Sequence, residues 1–96
     1  MKFIVLIQPT IKRGNKMIHD LKSVQNLEKY FKKINAREVY FHEYEGRKTF
    51  ELVMDIPKGS KITEIIEPMF EKFEARVMFQ PVKTLDELKK SISKKK

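Results

Sequence analysis

A histidine sits between two tyrosines at every second position, Tyr40-x-His42-x-Tyr44. Period two is the repeat of a β-strand, so the three side chains share one of its faces. An imidazole titrates near neutrality and can take or give a proton, and Glu51 or Glu43 would orient its ring. The two phenols suit stacking on an aromatic ligand or donation of a hydrogen bond. Arg76 brings a guanidinium able to neutralise a carboxylate, on a ligand or on Glu51. His42 is therefore the candidate catalytic residue. Tyr40, Tyr44, Glu51 and Arg76 are the candidate ligand-binding residues. The plainer reading of the same set is a hydrogen-bonded histidine among interface aromatics.

Residue types exclude other chemistries. The chain has no cysteine, which removes disulfides, thiolate metal sites and thiol nucleophiles. His19 and His42 are far apart with no ligand spacing, so no metal is expected. A Gly-rich phosphate loop, a nucleophile elbow and a haem motif are all lacking, so no cofactor is expected. No long apolar run or signal pattern occurs, and the expectation is a soluble, cytoplasmic protein with no membrane partner.

The elements that must position these residues follow from periodicity. Phe3-Ile4-Val5-Leu6-Ile7 reads as a strand covered on both faces, ended by Gln8-Pro9. A polar stretch, 10–16, bends at Gly14. Apolar residues at 17, 18, 21, 24, 27, 31 and 34 predict one helix, stopping near Asn35. Residues 39–55 read as a β-hairpin turning at Glu45-Gly46 or Gly46-Arg47. The first turn sets His42 opposite Thr49 and the second opposite Glu51.

A loop with Pro57, Gly59 and a Ser60 N-cap leads to a helix through Ile62, Ile65, Ile66 and Met69. Pro68 is expected to end or kink it, leaving 70–73 as an irregular link. Residues 75–80 predict a fourth strand, closed by Pro81. Thr84 and Glu87 have capping-box spacing for a last helix through Leu85, Leu88 and Ile92. The order β-α-β-β-α-β-α predicts an α+β, ferredoxin-like βαββαβ sandwich with an extra C-terminal helix. Its 96 residues leave room for one domain, 1–88, followed by a basic tail, 89–96.

Alternation places Val39, Phe41, Phe50, Leu52 and Met54 in the layer against the helices. The opposite face carries Tyr40, His42, Tyr44, Thr49, Glu51 and Val53. Ile4, Leu6 and Gln8 join it from the first strand, and Arg76, Met78 and Gln80 from the fourth. It is too apolar for plain solvent and too polar for a dry core, so it calls for a partner or a ligand.

Met1-Lys2-Phe3-Ile4-Val5, His42-x-x-Glu45-Gly46-x-x-x-Phe50, Phe73, Val77, Pro81-Val82 and Asp86-Glu87 together carry a resemblance. The chain resembles the dimeric α+β barrel superfamily, and within it a group of short single-domain proteins of unknown function. It is distantly similar to muconolactone isomerase in the Asp55-Ile56-Pro57 exit from the third strand. Ile7-Gln8-Pro9 and the lysine-rich tail depart from the group's pattern. The resemblance implies a homodimer that binds a small molecule at the sheet face inside the barrel or in the sheet–helix cleft. The superfamily includes cofactor-free isomerases and oxygenases as well as non-enzymes, so it does not decide between catalysis and binding.

The net charge of +8 comes from 21 basic and 13 acidic residues, and five lysines lie in the last eight positions. Lys89, Lys90, Lys94, Lys95 and Lys96 give the alternative function, a non-catalytic dimerisation or nucleic-acid-binding module. The plainer reading is a solvated helix end. RNA-recognition motifs share the element order, but Lys48-Thr49-Phe50-Glu51-Leu52-Val53 lacks their glycine and second stacking aromatic.

Overall fold

The computed structural model describes residues 2–57 and 62–94. The elements are β1 (Lys2–Pro9), α1 (Ile11–Ile18), α2 (Leu21–Lys33), β2 (Ala36–Tyr44), β3 (Arg47–Asp55), α3 (Ile62–Phe73), β4 (Ala75–Pro81) and α4 (Leu85–Lys94). The architecture is α+β, with one four-stranded sheet in the order β2-β3-β1-β4 and every pairing antiparallel. The apolar run of β1 explains its central place, since a strand flanked on both sides and packed on one face has few polar positions to spare.

The core lies between one sheet face and the helices. Phe3, Val5 and Ile7 of β1 and Phe50, Leu52 and Met54 of β3 are buried against Met17, Leu27, Phe31 and Met69. Phe50 links two further rings, with centroids 5.9 Å from Phe31 and 5.3 Å from Phe41. Val39 and Phe41 share this face but reach past the helix layer, and stay 41% and 49% exposed. The expected inner layer is therefore complete on β3 and unfinished on the edge strand β2.

Three expectations need correction. Gly14 is not a bend in a loop. It lies inside α1, which Thr10 caps by accepting from Arg13 N–H. A Cβ at Gly14 would stand 3.2 Å from Lys48 Cβ, so the glycine serves the close approach of α1 to β3. The apolar stripe from residue 17 to 34 belongs to two helices. Asp20 starts α2 by accepting from Lys22 N–H and from the Ser23 hydroxyl. Residues 70–73 are no irregular link, because α3 runs through Pro68 to Phe73. Met69 is wholly buried, and its packing outweighs the lost helix bond. The expected cap at Ser60 lies outside the described residues, as do Gly59, Lys95 and Lys96.

The hairpin turns at Glu45-Gly46, with φ of 53° and 75°. Two successive positive φ values mark a type I′ turn, whose twist matches that of the strands. This choice pairs Tyr44 with Arg47 and His42 with Thr49.

Candidate functional site

Register fixes which side chains stand side by side on the sheet face turned away from the core. His42 pairs with Thr49, and Gln8 with Arg76. The Gln8 amide nitrogen donates to Thr49 Oγ1 at 3.2 Å. A row of polar side chains therefore crosses all four strands, His42–Thr49–Gln8–Arg76. The next row is Tyr40–Glu51–Leu6–Met78, and the one after it includes Val53, Ile4 and Gln80. Its apolar members Ile4, Leu6, Val53 and Met78 are only half-buried by their own chain.

The centre of the polar row is enclosed. Gln8 and Thr49 are both wholly buried. The Gln8 amide also donates to Tyr44 O at 3.4 Å, and Thr49 donates to Arg47 O at 3.1 Å. Arg47 folds over the end of β1 and donates to Pro9 O at 2.9 Å and to Gln8 O at 3.4 Å. Gln8 Oε1 is buried and accepts no hydrogen bond. A buried acceptor in that state carries a desolvation cost that nothing offsets.

His42 and Glu51 are brought together diagonally. Nε2 lies 3.7 Å from Glu51 Oε1, an ion pair only when the imidazole is protonated. The other ring nitrogen, Nδ1, is 3.4 Å from Glu43 O. Both neighbours are acceptors, and a neutral imidazole has a proton for just one of them. Glu43 itself is held by Lys48, whose hydrogen bond and then charge lower its pKa below the usual carboxylate value. Tyr40 faces Glu51 but donates to Glu38 instead. That bond, then the charge of Glu38, raises the phenol pKa above its ordinary value. Tyr44 lines a hollow of about 230 Å³ with Ile4, Leu6, Met78, Phe79 and Gln80.

Arg76 stands apart from the other candidates. It lies at the far end of the polar row, on the opposite edge strand from His42. The expected pairing of Arg76 with Glu51 does not form, because β1 lies between their strands and Glu51 turns to His42.

Sequence reasoning put Gln8 and Thr49 on this face without singling them out. Each is an uncharged polar residue near one end of its strand, and only the folded sheet shows that they meet. Of the basic candidates, Lys89, Lys90 and Lys94 are exposed on α4, away from the rows. Among the described residues no cluster of three or more His, Asp or Glu could hold a metal ion, and no helix is long and apolar enough to cross a membrane. No protein-family model, curated protein or solved structure matches this chain, so its function has to be argued from these rows of side chains.

Proposed function

We propose that the chain is a homodimeric, ferredoxin-like module whose open sheet faces pair as in a dimeric α+β barrel, enclosing a small-molecule site near Tyr40, His42, Tyr44, Glu51 and Arg76. The strand order β2-β3-β1-β4 supports the ferredoxin-like reading. One observation carries the proposal. Ile4, Leu6, Val53 and Met78 form an apolar field beside a polar row whose centre is buried, on the face turned away from the core between the sheet and the described helices. Such a mixture suits a contact that is partly dry and partly ligand-lined.

His42 brings an imidazole to that face, and Glu51 is placed to steady its protonated form. Proton transfer on a small aromatic or carbonyl-containing substrate, without a cofactor, is the reaction class these residues fit. Arg76 lies three strands away from His42 in its own sheet, and would hold a ligand carboxylate as the residue that the paired copy brings to the site.

Sedimentation equilibrium tests the assembly. The wild type is expected to be a dimer at micromolar concentration, and Leu6→Lys to be a folded monomer. A monomeric wild type refutes the proposal. Benzoate, added as a probe, is expected to shift the NMR signals of His42 and Arg76, and loss of the Arg76 shift in Arg76→Gln checks the assigned contact.

A further inference from the structure

Helix α4 leaves its apolar side exposed among the described residues. It buries no residue, and Leu85, Leu88 and Ile92 are 75%, 44% and 54% exposed. Their i, i+3, i+7 spacing makes one apolar stripe. Thr84 and Glu87 cap the helix reciprocally, with Glu87 N–H donating to Thr84 Oγ1 at 3.1 Å and Thr84 N–H donating to Glu87 Oε1 at 3.3 Å. A short helix that is well capped yet unpacked is marginal alone in water, and gains its stability from an apolar surface.

The matching surface is at the other side of the fold. A groove of about 380 Å³ runs between α2 and the edge strand β2, with Val24, Leu27, Phe31, Val39, Phe41 and Phe50 along it. Glu28, Lys32 and Arg37 rim it. We infer that α4 of one copy lies in the α2–β2 groove of a second copy. The inference rests on the face-to-face dimer proposed above.

Three features of the fold select the second copy. The first is reach. β4 and β2 are opposite edges of the sheet, three strand spacings or about 14 Å apart. Only residues 82–84 join β4 to α4, so from Pro81 to Leu85 the fully extended chain spans at most about 14 Å, which leaves nothing for the climb to the helix side of the sheet. The same chain's α4 would also have to cross the helix layer. The second is symmetry. A two-fold axis between paired sheets and along the strands sets β4 of each copy beside β2 of the other. Both unpaired edges are then covered, and each α4 arrives next to the partner's groove.

The third is area and charge. A face four strands wide and seven residues long covers about 20 by 23 Å, or roughly 900 Å² for both copies, short of the roughly 1,200–2,000 Å² of a stable interface. Two docked helices, each about 15 Å long, supply most of the difference. Antiparallel to α2, the acidic start of α4 (Asp86, Glu87) meets Lys32 and Arg37. Its basic end (Lys90, Lys94) approaches Glu28.

The test uses the full chain. Leu88→Ser/Ile92→Ser alters exposed positions only, so the sheet and core keep their circular dichroism and thermal transition. The dimer Kd is expected to rise at least tenfold by sedimentation. Val39→Ser/Phe41→Ser should raise it similarly, and combining the two pairs should cost far less than the product of their effects. Because the chain has no cysteine, Val39→Cys and Ile92→Cys chains can be mixed and oxidised, and a mixed disulfide dimer is expected. A monomeric wild type overturns both the dimer and this inference. A dimer whose Kd ignores the α4 changes overturns this inference alone. So does an intrachain disulfide in the doubly substituted chain, which would place α4 on its own groove. So would α4 changes that leave the dimer intact but abolish binding to anionic phosphatidylserine vesicles.

Discussion

The Gln8–Thr49 pair gives an asymmetric prediction. In Thr49→Val the Gln8 amide loses its 3.2 Å acceptor and keeps only the 3.4 Å contact to Tyr44 O, with Oε1 already unpartnered. A wholly buried amide in that state costs about 1–3 kcal/mol, so a loss of about 2 kcal/mol is expected. Gln8→Leu behaves differently. It removes the orphan acceptor along with the donor, and Thr49 still donates to Arg47 O. Its net effect should lie within about 0.5 kcal/mol of zero. In the Gln8→Leu background, Thr49→Val should then cost about 0.5 kcal/mol, a coupling of about 1.5 kcal/mol. Urea unfolding at fixed protein concentration reads this directly. With an m-value of about 1.2 kcal/mol/M, Thr49→Val lowers the midpoint by about 1.7 M, while Gln8→Leu barely moves it. If Gln8→Leu proved the more damaging change, or the two effects simply added, the account of an enclosed, under-satisfied amide would be wrong.

Other predictions follow from local geometry. Glu45→Gly relieves a non-glycine residue at φ 53° and should stabilise the hairpin by about 0.5–1 kcal/mol, measured by thermal melting. Phe31→Ala empties the space beside Phe50 and should destabilise by about 3–5 kcal/mol in urea. The Thr84 N–H and hydroxyl lower the Glu87 pKa below its ordinary value. Its contribution to α4 is thus fully present above the unfolded value near 4.5 and lost as pH falls through the folded value, so helical NMR shifts of α4 should fade in acid. The nucleic-acid alternative through Lys89, Lys90, Lys94, Lys95 and Lys96 predicts duplex affinity falling with a log–log salt slope of up to about −4.5, and a flat slope would dispose of it.

Strands were legible because their signals are local. The run at 3–7 and the alternation at 39–54 each state a face within a few residues. Helix boundaries were less so. An apolar stripe passes unbroken across His19-Asp20, and only the capping bonds of Asp20 reveal that one helix stops and another begins. Pro68 misled because a single-residue penalty is visible in sequence and the burial of Met69 is not. The hairpin offered two registers, and the positive φ of Glu45 and Gly46 picks the one that puts His42 beside Thr49 and leaves Glu51 to approach it diagonally. The face of the candidate site was therefore readable, but its polar row depends on partners more than 30 residues apart. Arg76 shows the limit most plainly, since sharing a face with Glu51 said nothing of the strand between them.

The central position of β1 has a consequence for how the chain comes together. β1 precedes both of its neighbours, pairing Ile7 with Phe50 and Pro9 with Ala75. During synthesis its apolar run has no sheet partner until residues 47–55 have emerged, and none on its second edge until 75–81 have followed. The β2–β3 hairpin, by contrast, can close within its own 20 residues. Folding should start there, with β1 added next and β4 last, so the interval before β4 docks is when the chain is most open to aggregation.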